Sequence, residues 1–143
     1  MGKEKAKELK VFRDARGFLF ELLRKDDELF EGKFGQILVS ESNSGVVRAW
    51  HLHEKQIDYV CCVKGKIKFC TAEEKKGKTE IKEFLLGEEK PVLVKVPAGI
   101  WHGYKVLGEK PALVVYVMDK AYNPKKPDEK RKTENAFGSV WEK

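Results

Sequence analysis

Short runs rich in Val, Ile, Phe and Tyr recur along this chain, and turn formers separate them. They cover residues 17–23, 36–40, 46–53, 58–63, 66–71, 80–86, 92–96 and 112–118. Asn43-Ser44-Gly45, Lys64-Gly65 and the stretch from Gly87 to Pro91 mark breaks between them. Short β-type runs at this regular spacing predict an all-β sandwich or barrel. No segment sustains a helical period over several turns. At 143 residues the chain is long enough to bury a core without disulfides. The expectation is one domain over 1–143. Within it, 1–9 forms an N-terminal extension whose residues 3–9 make one helical turn. Residues 123–143 form a charged, Pro-interrupted surface tail that docks back through Phe137 and Trp141.

Composition narrows the function classes. Lys and Arg number 29 against 23 Asp and Glu, a net charge of +6. The signs are interspersed, as in Asp128-Glu129-Lys130-Arg131-Lys132, and no aromatic-basic module is present, so nucleic acid is not the expected partner. A basic surface does suit an anionic small molecule. No apolar run is long enough to span a bilayer, and the charged start has no signal-peptide character. Three cysteines without metal-type spacing read as reduced thiols, so a cytoplasmic protein is expected. Cys61 and Cys62 are adjacent and should enter the core from opposite faces of one strand.

The chemistry concentrates in two segments. One runs from Gly45 to Gly65 and holds His51, His53 and Asp58; the other is Pro97-Ala98-Gly99-Ile100-Trp101-His102. All three histidines of the protein lie there. In a strand, residues i and i+2 share a face, so His51 and His53 look into one space, and a second strand can bring His102 to it. Arg48 has the opposite parity to His51, so a bulge or bend is needed to turn both to that side.

Gly45-x5-His51-x-His53-x4-Asp58-x6-Gly65 resembles the first cupin motif, with Asp in place of Glu. Pro97-x-Gly99-x2-His102 resembles the second. The implied fold is a cupin-type jelly roll with little helix. In metal-binding cupins such side chains hold a divalent metal. His51, His53, Asp58 and His102 therefore form one alternative site, for zinc, iron, manganese or nickel.

A closer resemblance, from about residue 11 onward, is to the dTDP-4-dehydrorhamnose 3,5-epimerase family, a branch of the cupins. It is carried by Asp14-x-Arg16-Gly17-x-Leu19-x-Glu21, Gln36, Ser40-x-Ser42-x2-Gly45, Arg48-x2-His51, Pro97-x-Gly99-x2-His102-Gly103, Tyr116, Tyr122-Asn123-Pro124 and Val140-Trp141. The resemblance implies His51 as a base beside a sugar ketone and Tyr116 as the acid on the other ring face. It implies Arg16, Glu21, Gln36, Arg48 and His102 around the sugar and diphosphate, and Tyr122 on the nucleotide base. It further implies a nucleotide-sugar substrate, no required cofactor, and a homodimer.

This chain departs from the family where Asp58 replaces a Lys and where His53 stands. The family's base-orienting Asp lies beyond the aliphatic-Trp element. His51 is therefore expected to find another partner, either Asp58 or a backbone carbonyl. Beside the epimerase reading stand a metal-dependent cupin enzyme for a small polar substrate and a non-catalytic sugar-binding cupin.

Overall fold

The computed structural model describes residues 2–142; Met1 and Lys143, at the ends of the expected extension and tail, lie outside them. The strands are β1 (Lys5–Glu8), β2 (Val11–Asp14), β3 (Gly17–Phe20), β4 (Gln36–Ser42), β5 (Val47–Leu52) and β6 (Asp58–Lys64). They continue as β7 (Lys66–Lys75), β8 (Lys78–Gly87), β9 (Val92–Val96), β10 (Trp101–Leu107), β11 (Ala112–Met118) and β12 (Lys130–Arg131). One 3₁₀ turn, Val140–Glu142, is the sole helical element among the described residues. Among those residues no helix is long and apolar enough to cross a membrane.

Two five-stranded sheets form, ordered β1-β9-β6-β11-β4 and β12-β5-β10-β7-β8. This is a cupin-type jelly-roll sandwich, as expected. Strand alternation builds its layers. Val60, Cys62, Val94 and Val114 of the first sheet meet Ile67, Phe69, Tyr104 and Val106 of the second in the central core. Their neighbours Tyr59, Cys61, Leu93 and Val117 face outward and are covered by Leu22, Leu23, Leu29 and Phe30. Cys61 and Cys62 thus enter different apolar layers, and burial raises the former thiol to about 12 and the latter to about 11. Both are inert as nucleophiles at neutral pH.

The outer face of the second sheet is covered by the chain end. Trp50 is fully buried against Phe137 and Trp141, each with ring centroids 5.0 Å away. Between the sheets, β6 crosses directly into β7 through Gly65. This glycine has φ +76°, and a Cβ there would lie 2.6 Å from the Pro111 carbonyl oxygen. Only glycine fits both demands.

Four strands lie outside the runs read from the sequence: β1, β2, β10 and the short β12. The segment expected to make a helical turn is strand β1, paired with β9 from Lys5↔Lys95 to Glu8↔Val92. Its Lys, Ala and Glu favour helix locally, but one isolated turn is unstable in water, whereas β9 offers an open row of backbone donors and acceptors. Strand β10 was obscured because Gly103 interrupts it. Val11–Asp14 forms the first arm of a separate β2–β3 hairpin, and the 17–23 run ends as strand at Phe20.

Candidate active site

A cavity of about 830 Å³ opens between the sheets. Gln36, Arg48, His51, His102, Tyr116 and Tyr122, named from the sequence as site residues, all line it, as do His53 and Asp58. Arg16 and Glu21 do not. Arg16 sits on the β2–β3 turn paired with Asp14, and Glu21 pairs with Arg24.

The parity conflict at Arg48 is resolved by a bulge. His102 pairs with His51 and Tyr104 with Arg48, so β5 spends one more residue than β10 across this interval. Arg48 and His51 thereby reach the same cavity. Gly103, at the irregularity, is where the two backbones come closest. A Cβ there would stand 2.5 Å from Ala49 Cβ and 2.8 Å from the Arg48 carbonyl oxygen. Gly103→Ala is therefore expected to force β5 away and to lower stability by about 1–3 kcal/mol. The midpoint of urea unfolding reads this; an unchanged midpoint refutes the close-packing account.

Arg48 is held from below. Its Nε donates to Ser42 Oγ at 2.6 Å, and the Tyr104 hydroxyl joins Ser42 at 2.8 Å and Ser40 at 3.1 Å. Gln36 accepts from the Tyr122 backbone N–H at 2.6 Å, which holds the start of the tail beside the cavity.

His51 Nδ1 lies 2.8 Å from Glu129 Oε1. A carboxylate accepts, so Nδ1 carries the proton and Nε2 the lone pair. Burial first, then the neighbouring His102, lowers the His51 pKa below its ordinary 6.5, against the pull of Glu129. The imidazole is thus neutral and basic at pH 7. Neither partner expected for His51, Asp58 or a backbone carbonyl, supplies this contact; Glu129 does, and it fixes the tautomer. The tail presents Glu129 because β12 pairs with β5 (Lys130↔Leu52, Arg131↔His51), and Trp50 and Lys132 exchange two backbone hydrogen bonds at 3.1 Å. Residues 123–132 do run over the surface, yet they also close one side of the site.

Asp128, also unforeseen, organises the adjoining loop. Its carboxylate accepts backbone N–H bonds from Glu54, Lys55 and Gln56 at 2.8, 2.9 and 3.1 Å. Its carbonyl oxygen accepts from His53 Nδ1 at 2.6 Å. The only sequence signal for these two residues was an acidic pair inside a basic tail.

Asp58 is 1% exposed. Its Oδ1 accepts from Gln56 Nε2 at 2.7 Å, while Oδ2 has no hydrogen-bond donor. His53 Nε2 and His102 Nε2 each stand 3.5 Å from that oxygen. Burial works to raise the Asp58 pKa, but the two imidazoles outweigh it and hold the carboxyl well below the usual range. Burial likewise opposes protonation of His53, but Asp58 outweighs it and raises His53 to about 9. The four-residue metal set expected from the motif is here a group of three, His53, Asp58 and His102. His51 is turned away to Glu129.

Tyr116 enters from β11 on the opposite sheet. Its ring is half-buried at the cavity wall, and burial, followed by Tyr104 and Asp58, pushes its phenol well above the ordinary tyrosine value. It keeps its proton at neutral pH. A neutral base and a protonated phenol therefore line one cavity from two facing sheets.

Residues 5–143 match the family model of dTDP-4-dehydrorhamnose 3,5-epimerase. The chain belongs to this family. It is 42% identical to the spore coat polysaccharide biosynthesis protein SpsL of Bacillus subtilis, over 89% of this chain and 85% of that protein. It is 35% identical to the probable low-salt glycan biosynthesis epimerase Agl13 of Haloferax volcanii, over 87% of this chain and 83% of that one. The dTDP sugar isomerase of Desulfovibrio desulfuricans shares the fold, with a TM-score of 0.88 and 23% identity over 97% of this chain and 90% of that structure. As a member of the dTDP-4-dehydrorhamnose 3,5-epimerase family, the chain is assigned to the isomerase class of sugar enzymes.

Proposed function

We propose that this protein inverts carbon centres beside the ketone of a dTDP-4-keto-6-deoxysugar, with His51 as base and Tyr116 as acid. The observation that carries this is their entry into one cavity from opposite sheets, which suits inversion. A 4-keto group acidifies the C–H bonds at C3 and C5. His51 Nε2 takes a proton from one ring face, the electron pair moves onto the ketone oxygen as an enolate, and Tyr116 delivers a proton to the other face. The His51 imidazolium then releases its proton to solvent and the Tyr116 phenolate takes one up, so the net change is isomerisation. Each proton-transfer group of this kind contributes roughly 10²–10⁴-fold.

Arg48, with Arg131 on the tail side, supplies planar forks for the diphosphate, and the exposed Tyr122 ring offers a stacking surface for the nucleotide base. The relatives named for spore coat polysaccharide and glycan synthesis favour a role in making deoxysugar precursors, rhamnose among them, in the cytoplasm. The test is incubation with the keto-sugar in heavy water and NMR at C3 and C5. Deuterium at both carbons is expected. Absence at both refutes the reading, and deuterium at one alone narrows it to mono-epimerisation.

Arg16 and Glu21 fit the substrate role only if a second copy brings its hairpin to this cavity. The hairpin stands apart from both sheets and exposes Phe18 (50%) and Leu19 (62%). β4, an edge strand, exposes Ile37 and Val39. Two such apolar surfaces on one small protein favour a homodimer. Light scattering at micromolar concentration is expected to give twice the chain mass of 16.4 kDa; a monomeric mass refutes the shared site.

A further inference from the structure

We infer that Lys132 and Trp141, on the outer face of the second sheet, are positioning residues for the base: they clasp the tail so that Glu129 stays on His51 Nδ1. Neither residue lines the cavity. The inference rests on the reading of His51 as base and extends it to the opposite side of the sheet.

The tail needs such a hold. Glu129 is followed by β12, a strand of two exposed residues, and residues 133–136 are exposed as well. A ladder that short, with no core of its own, opens easily. On its other side Glu129 is pinned by Asp128, whose carboxylate takes the three N–H bonds of the 54–56 loop. One anchor alone leaves the chain at Glu129 free to pivot about it. A second anchor beyond β12 removes that freedom.

The second anchor lies behind the histidines. Successive residues of a strand face opposite ways, so Trp50 stands on the reverse of His51 and Trp101 on the reverse of His102. Both indoles are buried in one apolar cluster with Trp141. The tail engages Trp50 in three ways. The Trp50 backbone exchanges two 3.1 Å hydrogen bonds with Lys132, its Nε1 donates to the Glu134 carbonyl oxygen at 3.2 Å, and its ring packs on Phe137 and Trp141.

Trp101 completes the clasp through charge. The Lys132 ammonium lies 4.9 Å from the Trp101 ring centroid, 5.0 Å from that of Phe137 and 3.2 Å from Glu74 Oε1. The Trp101 indole donates to the same carboxylate oxygen at 3.1 Å. A cation held over two rings and against a carboxylate restrains its own backbone, and that backbone follows Glu129 by one short strand. Lys68 donates to the Val140 carbonyl oxygen, and Lys105 donates to that of Trp141 at 2.8 Å. These lysines come from β7 and β10, so the chain end is tied to the body of the sheet.

The consequence is geometric. The 2.8 Å contact between Glu129 Oε1 and His51 Nδ1 sets which ring nitrogen carries the lone pair and where it points. A misplacement of about 1 Å far from the chemistry costs up to roughly 100-fold in rate. Clasp variants should therefore lose what Glu129 supplies.

The test compares full-length Trp141→Ala and Lys132→Met with two controls. Trp141→Phe keeps an aromatic anchor, and Leu29→Ala removes an apolar side chain from the layer over the other sheet. Melting curves check folding; Lys132 is half-buried, so Lys132→Met carries the test if Trp141→Ala does not fold. The first readout needs no substrate. Proton NMR should show a far-downfield His51 Nδ1–H signal, assigned by its loss in His51→Asn. Both clasp variants should lose it, and both controls should keep it. The second readout is exchange of the keto-sugar in heavy water. Each clasp variant should slow it roughly 10–100-fold. Adding Glu129→Gln to either should slow it no further, whereas in Leu29→Ala the Glu129→Gln loss should remain whole. An unchanged His51 signal in the folded clasp variants, or losses from Glu129→Gln that multiply with theirs, would overturn the proposal, since the clasp would then serve stability alone. A wild type without exchange, whose His51 signal still responds to the clasp, would refute the proton-transfer reading and support the clasp.

Discussion

His51→Asn is expected to slow substrate C–H exchange by roughly 10²–10⁴-fold while KM changes little. Asparagine keeps polarity and approximate size but has no basic nitrogen. The lost interaction exists only as the proton moves, so the loss belongs in kcat. The pH profile carries a sign. Burial, then His102, lowers the His51 pKa below the ordinary 6.5, so the base stays unprotonated at pH 6.5 and its activity falls only at more acidic pH. Glu129→Gln removes the negative partner at 2.8 Å while retaining a carbonyl that can accept from Nδ1. Its deficit should be smaller than that of His51→Asn, and its acidic limb should begin at lower pH still, because the charge that favours imidazolium is gone. A Glu129→Gln profile identical to wild type would dismiss the orienting role. Exchange at full rate in His51→Asn would move the base elsewhere.

Asp58→Asn is expected to cost up to about 3 kcal/mol at pH 6, and much less at pH 9.5. His53 has a folded-state value of about 9 against an ordinary 6.5. A group raised in this way contributes its stabilisation fully below 6.5 and loses it as pH rises through 9. The Asp58 carboxyl is held below its usual range, so the same interaction is also lost in strong acid, as that carboxylate takes up its proton. Wild-type stability should therefore decline between pH 6.5 and 9 from this pair. In Asp58→Asn the decline should vanish, since His53 then has no buried anion to keep its proton. Urea midpoints at pH 6 and 9.5 decide it; parallel pH dependence in the two proteins would refute the pairing of His53 with Asp58.

The two results concern neighbouring histidines with opposite behaviour. His51 lies on β5 and His53 just past its end, two residues on, yet one is pushed down and the other up. The difference is made by what reaches each ring. His51 meets a partly buried carboxylate and a second imidazole. His53 meets a fully buried carboxylate and a carbonyl. A single cavity thereby holds a neutral imidazole beside a charge-bearing one.

Much of this was legible from residues alone, and for a local reason. Strand periodicity and turn formers act over a few positions, so the runs at 36–40, 58–63, 92–96 and 112–118 correspond to β4, β6, β9 and β11. The same two-residue period put His51 and His53 in one space, and the ordered motifs led to the family. Tertiary structure decided what depends on contacts between distant positions. Pairing with β9 turned a helix-prone segment into β1. A bulge against β10 turned Arg48 to the side of His51. The partner of His51 proved to be Glu129, 78 positions away, because the tail pairs with β5. That choice removed His51 from the cluster and left two imidazoles, His53 and His102, beside Asp58. Local sequence sets which face a side chain takes, since that follows from backbone period. It does not set which of several carboxylates arrives there, since that depends on how the whole chain closes.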